Sequence, residues 1–267
     1  MNHKGLLELS QRVPDEHRGA YLYYLTEKSA PELMIMSDKD IPEETEKKAK
    51  AALDRVLSGE PLQYIFGYTW FYGMRLLCKP GVLIPRPDTE IIVEEAIKLI
   101  PRGGIFADIC IGSGCIAAAV LENRPDLECV ALDISQQALA LAGENLAKFT
   151  AEGRCTVKRF DLFERWEIPV FDAILSNPPY IKSADIEKLE PQVRREPRLA
   201  LDGGCDGLDF YRRLIATAPS HLRTGCPLLL EVGYDTARGV EELAKGRYDC
   251  KTVKDLSGTD RVAVITV

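Results

Sequence analysis

Asn177-Pro178-Pro179-Tyr180 is the stretch of this chain whose residue types and spacing carry chemistry. It follows Phe171-Asp172-Ala173-Ile174-Leu175-Ser176, an apolar run that reads as a buried parallel strand. In open α/β sheets chemistry collects in the crevice beyond the strand carboxyl ends. An Asn there offers a side-chain oxygen, while two prolines stiffen the backbone and remove two N–H donors. What is left is a rigid cup of acceptors capped by an aromatic ring, suited to a planar, neutral NH2 group that must be held before it attacks.

A second group of residues reads as a nucleotide site. The strand Ile105–Ile109 runs into Cys110-Ile111-Gly112-Ser113-Gly114, where glycines let a ligand approach the backbone and the next helix presents unpaired N–H groups. Asp133 ends the next strand, about 20 residues on, placed to accept from ribose hydroxyls. At the end of the third strand, Asp161 is placed to accept from an adenine amino group while Leu162 packs on the ring. These residues point to adenosine without naming the cofactor, because Gly112-x-Gly114-x-x-Ala117 also satisfies the loose dinucleotide fingerprint.

Composition narrows the field. A formal net charge of −7 argues against broad electrostatic capture of nucleic acid. The first residues lack the apolar core and cleavage site of a signal peptide, and no run reaches the ~18 apolar residues of a spanning helix, so a cytoplasmic protein is expected. Three histidines and eight cysteines without a CxxC leave little material for a metal site, and none is expected.

These residues need a scaffold. Residues 1–67 read as a helical bundle, with helices near Lys4–Gln11, from Asp15 to Lys28, and after Pro42, ending before Ser58-Gly59. Residues 68–83 read as a β-hairpin linker. From 84 to 267 strand-like and helix-like segments alternate as in a doubly wound α/β sheet. The expected strands are Ile105–Ile109, Cys129–Ile134, Thr156–Leu162, Phe171–Ser176, Pro227–Val232, Lys251–Leu256 and Arg261–Val267. The last two lie too close in sequence for a parallel crossover and are expected to pair antiparallel. Asp88 or Thr89 is the expected N-cap of a helix over Ile91–Ile100.

Taken together, the glycine turn, the acid and Asn-Pro-Pro-Tyr resemble S-adenosylmethionine-dependent methyltransferases of planar nitrogen. With Gly59-Glu60-Pro61-Leu62-Gln63-Tyr64, Pro85-Arg86-Pro87-Asp88-Thr89-Glu90, and Glu196-Pro197-Arg198-Leu199-Ala200-Leu201-Asp202-Gly203-Gly204 followed by Asp206-Gly207-Leu208, the chain resembles the HemK-type release-factor glutamine methyltransferases. That resemblance implies a Rossmann-like, seven-stranded class I methyltransferase sheet, and a helical N-terminal domain that docks release factors. It implies S-adenosylmethionine as methyl donor, leaving as S-adenosylhomocysteine, and as substrate the Gln of the Gly-Gly-Gln loop of peptide chain release factors. Cys110, Ile111, Gly112, Ser113, Gly114, Asp133, Asp161, Leu162 and Asn177 are then the expected cofactor contacts, and Asn177, Pro178, Pro179 and Tyr180 the expected substrate and catalytic residues. The family usually carries Gly where this chain has Cys110. The alternatives are an N-methyltransferase of a nucleobase amino group and, from another class, an NAD-dependent dehydrogenase, which leaves Asn-Pro-Pro-Tyr without a purpose.

Overall fold

Apolar runs too short to cross a membrane, and carrying no polar alternation, demand a sheet covered on both faces. The computed structural model describes residues 1–267, and its strands show why the runs are continuous. Ala107, Ile109, Leu132, Ile174, Leu228, Leu230 and Ala263 point into one apolar cluster. Their neighbours Phe106, Ala131, Ala173, Leu175, Leu229 and Val264 point into another on the opposite face. Helices Glu90–Leu99 and Cys115–Asn123 cover the second cluster, and Asp209–Thr217 and Ala237–Ala244 the first.

The chain divides into two units, Met1–Tyr68 with Glu190–Arg195, and Thr69–Leu189 with Glu196–Val267. In the smaller unit helices His3–Ser10, Asp15–Thr26, Ala30–Ile35, Glu43–Leu57 and Leu62–Phe66 bury Leu6, Tyr21, Leu22, Leu33, Ala49 and Leu53. The Tyr21 hydroxyl donates to the Ala49 carbonyl at 2.6 Å, joining two of these helices through a buried bond. Helix Ala30–Ile35 escapes the periodicity reading because it is six residues long, yet Ser29 and Glu32 form a capping box around Pro31 that announces it.

Two short strands, β1 (Tyr68–Phe71) and β2 (Met74–Leu77), form a hairpin. The main sheet follows: β3 (Ile105–Ile109), β4 (Glu128–Asp133), β5 (Cys155–Arg159), β6 (Ala173–Ser176), β7 (Pro227–Glu231), β8 (Asp249–Lys254) and β9 (Asp260–Thr266). Its seven strands lie in the order β5-β4-β3-β6-β7-β9-β8. The first five are parallel, and β9 runs antiparallel to both β7 and β8. This is an α/β Rossmann-like sheet, its antiparallel end formed as the short β8–β9 connection requires. The expected third strand is cut back from Leu162 to Arg159, and the expected fourth begins at Ala173 rather than Phe171. Phe171 instead makes an isolated bridge to Leu222.

Because β3 leads outward through β4 to β5 while β6 starts the other half, strand order reverses between β3 and β6. A crevice opens at such a reversal. Ile109 and Ser176 pair there in register, so Cys110 and Asn177 leave the sheet side by side.

Candidate functional site

A cleft of about 580 Å³ lies at this reversal, and Cys110, Gly112, Asp133, Asn177 and Pro179 all line it. Two adjoining recesses extend it. One is lined by Asp161, Leu162, Phe163 and Phe210, the other by Arg86, Thr89, Ile111, Ser113 and Asn177. Thus the structure brings Cys110, Ile111, Gly112, Ser113, Asp133, Asp161, Leu162, Asn177 and Pro179 to one connected cavity. Gly114, Pro178 and Tyr180 are not among its lining residues.

The turn after β3 is built for close approach. Gly112 and Gly114 have φ of 54° and 83°, and a Cβ on Gly114 would stand 3.3 Å from Leu146. Cys110 holds φ 61° with a Cβ attached, a left-handed conformation that costs a non-glycine residue about 1 kcal/mol or more. The Ser176 hydroxyl donates to the Ile109 carbonyl at 2.7 Å, tying the ends of β3 and β6 together directly beneath the cleft.

Asp133 accepts the Gly112 N–H at 3.0 Å on one oxygen and the Ser135 N–H at 2.9 Å on the other. Each oxygen keeps a lone pair for a ligand hydroxyl. Burial raises its pKa against these two bonds. Deeper, Asp108 accepts the Ala117 N–H at 3.1 Å and so caps helix Cys115–Asn123 from within the sheet, where Gly114 has no side chain to do so. The other Asp108 oxygen is buried without a partner, and burial lifts this carboxyl well above the usual range. Glycines that admit a ligand, an acid with lone pairs to spare and an orphaned oxygen behind them form a donor-hungry, sterically open site. These features fit the ribose and amino acid ends of an adenosyl cofactor. Asp161, bonded to the Phe163 N–H at 2.9 Å, and the buried Leu162 border the recess that remains for a base.

Asn177 is oriented by a residue that sequence reading assigned elsewhere. Its Nδ2 donates to the Thr89 Oγ1 at 3.2 Å, so the amide nitrogen is engaged while the residue lines the cleft. Thr89 does occupy the N-cap position of helix Glu90–Leu99, but its side chain makes no capping bond. Asp88 pairs with Arg261 at 2.9 Å, and Arg86 pairs with Glu196. Glu196, 5% exposed, also accepts the Ile84 N–H at 2.9 Å, so it fastens the segment before the helix to the loop that carries Pro197 and Leu199 to the cleft. Arg198 pairs with Asp202 at 3.0 Å.

Tyr180 lies behind the cup, and burial raises its hydroxyl pKa well above the ordinary value. Glycines surround it. A Cβ on Gly207 would stand 2.4 Å from the Tyr180 carbonyl oxygen, and one on Gly233 3.0 Å from its ring. Gly203 and Gly207 therefore make room for the segment after the prolines, while Gly204 makes room for the Asp209 side chain. A run of glycines with no helix or strand around it was the available signal.

The Methyltransferase small domain model matches residues 88–193, and the PrmC N-terminal domain model matches residues 7–67. The chain is 43% identical over 233 residues to the release factor glutamine methyltransferase of Geobacter sulfurreducens, covering 86% of this chain and 81% of that one. The enzyme of the same name from Neisseria gonorrhoeae is 36% identical, with 95% and 93% covered. That from Aquifex aeolicus is 33% identical, with 99% and 96% covered. Among solved structures, a methyltransferase from Pyrococcus furiosus superposes with a TM-score of 0.52 at 17% identity over 83% of this chain and 98% of that one, a likeness of fold.

Proposed function

This chain belongs to the release factor glutamine methyltransferases, and from that membership we propose that it methylates the side-chain N5 of the glutamine in the Gly-Gly-Gln loop of peptide chain release factors. S-adenosylmethionine, when bound, supplies an electrophilic methyl group on a sulfonium sulfur. The remaining chemistry belongs to the chain. Gly112 and the cofactor-facing backbone from Cys110 to Gly114 give close approach, Asp133 accepts the ribose hydroxyls, and Asp161 with Leu162 receives the adenine.

An amide nitrogen is a weak nucleophile because its lone pair is delocalised into the carbonyl, so positioning is the main contribution available. The Asn177 Oδ1 and the Pro178 carbonyl accept the two amide N–H bonds. Held by both hydrogens, the nitrogen turns its lone pair toward the methyl carbon as it pyramidalises. Pro179 stiffens the cup, and Tyr180 backs it and excludes water from that side. The nitrogen becomes acidic only as the new bond forms, and its proton then passes to solvent water, leaving the neutral N-methyl amide.

The observation that supports this division is the Asn177–Thr89 bond, which engages the amide nitrogen of a residue lining the same cleft as Asp133 and Gly112. We assign docking of the release factor to the helical N-terminal domain, residues 1–67, where Met34 and Ile35 are exposed apolar residues at one helix end. No helix is long and apolar enough to cross a membrane, and no cluster of three metal-ligating side chains is present.

The experiment is incubation with labelled methyl donor and a purified release factor, the label then being located by mass spectrometry. Label on the Gly-Gly-Gln glutamine is expected. Asn177→Ala is expected to abolish transfer with cofactor affinity retained. Equal loss of both, or label on nucleic acid in its place, overturns the assignment.

A further inference from the structure

Glu231 is a buried acid that the chemistry above does not use. It ends β7, one residue past the Leu230–Ser176 pair, and so stands level with Asn177 on the neighbouring strand. It is 3% exposed, and its Oε2 has no partner. The side chains of Thr89 and Asn177 come near enough to the carboxyl to favour its charged form. Its backbone carbonyl is fixed separately by the Tyr211 hydroxyl at 2.8 Å.

Thr89 supplies the logic. A threonine at a helix N-cap ordinarily gives its oxygen to an N–H of the first turn. Here it does not, and the oxygen faces the Asn177 Nδ2 instead. A hydroxyl has one proton to give. When that proton goes to a carboxylate, only lone pairs remain for Asn177, which must then present N–H to Thr89 and oxygen to the cleft.

We propose that Glu231 and Thr89 are positioning residues for methyl transfer: the Glu231 carboxylate takes the Thr89 hydroxyl proton, Thr89 takes an Asn177 N–H, and this one-way chain holds the Asn177 oxygen toward the substrate amide. The proposal rests on the reading of Asn177 as acceptor given above. Protonating Glu231 removes the direction, because a carboxylic acid donates to Thr89, whose own proton is then free to go to the Asn177 Oδ1 of a flipped amide. Burial pushes this carboxyl up to about 7, with Asp88 adding to the rise while Thr89, Arg261 and Asn177 oppose it. Tyr180, Tyr211 and Cys115 are the other titratable groups that feel its charge.

The test is steady-state kinetics of the full-length enzyme with a purified release factor and S-adenosylmethionine, from about pH 6 to about pH 9, with cofactor affinity measured in parallel by calorimetry. Thr89→Val is expected to lower kcat by about tenfold or more with cofactor affinity unchanged, and Thr89→Ser to restore it. Wild-type kcat is expected to rise through an inflection near 7, and Glu231→Gln, which keeps an acceptor but cannot ionise, to lose that inflection. Wild-type kcat in Thr89→Val, or an unchanged inflection in Glu231→Gln, overturns the proposal. Wild-type kcat in Asn177→Ala overturns the acceptor reading itself, whereas a dead Asn177→Ala beside a normal Thr89→Val removes the positioning chain alone.

Discussion

A Cβ placed on Gly203 would stand 2.7 Å from the Tyr180 Cα and 2.8 Å from the Pro179 carbonyl oxygen. Both are backbone atoms, so neither can swing aside as a side chain would. Gly203→Ala is therefore expected to shift the Pro179-Tyr180 segment and to cost roughly 1–3 kcal/mol of stability, with a larger loss of kcat than of cofactor affinity. Gly143→Ala is the control, lying in helix Gln136–Asn145 with nothing within 4 Å of its added methyl. It is expected to be neutral or to stabilise by about 0.5–1 kcal/mol. Thermal unfolding of both variants, beside single-turnover rates, checks the pair.

Asp133 does two jobs that a substitution can separate. It holds the Gly112 and Ser135 amides, and in the proposed function it accepts ribose hydroxyls. Asn at this position removes the charge and sets an NH2 against one of the two backbone amides, so thermal stability is read beside affinity. Asp133→Asn is expected to weaken S-adenosylmethionine binding by roughly tenfold or more, the loss of a charge-assisted hydrogen bond being worth about 1.5–3 kcal/mol. At saturating cofactor kcat is expected to stay near wild type. Calorimetric titration read beside kcat decides the matter, and an unchanged affinity counts against the ribose role.

The Glu231 carboxyl also leaves a mark on stability, and its sign follows from the direction of the shift. Its pKa is raised from the ordinary 4.5 to about 7, so between these values the folded protein keeps a proton that the unfolded chain has released. Stability from this group is fully present below about 4.5, declines as pH rises, and is lost above about 7. The span corresponds to roughly 3 kcal/mol. Denaturant unfolding at about pH 5 and about pH 8 is expected to show wild type losing ground relative to Glu231→Gln as pH increases. A difference between the two proteins that is independent of pH would mean that the buried carboxyl is not protonated at neutrality.

Cys110 holds a left-handed backbone where a glycine would rest without strain. Cys110→Gly relieves about 1 kcal/mol of strain while losing side-chain packing and adding unfolded-state entropy of similar size. Its melting temperature is expected within a few degrees of wild type. Cys110→Val forces a β-branched residue into the same conformation and is expected to destabilise by about 2 kcal/mol or more. A Val variant as stable as wild type would show that the turn can relax out of the left-handed region.

The parts of the site that are legible in the sequence are local. Asp133, Asn177 and the glycines after β3 stand directly at strand ends, where an apolar run and the residue that stops it sit together in the chain. The residues that orient them are not local. Thr89 lies 88 positions from its partner Asn177, and Glu196 is 110 positions from Arg86. Thr89 is a cap by propensity, and its tertiary partner Asn177 overrides that role. Glu231 ends an otherwise apolar strand and reads like any residue that stops one, because only the β6–β7 register reveals what it stands beside. The glycines near Tyr180 were visible as a pattern, but their purpose is a contact across more than twenty residues of loop.

With its nitrogen committed to Thr89, Asn177 meets any incoming side chain with a lone pair. A glutamine that has deamidated to glutamate would set oxygen against oxygen there, with no hydrogen between them and a charge to desolvate. Such an orientation acts on occupancy: a loop that had deamidated has no nitrogen left to methylate, and the same lone pair that holds the amide would keep that loop from lingering in the cup as an inhibitor.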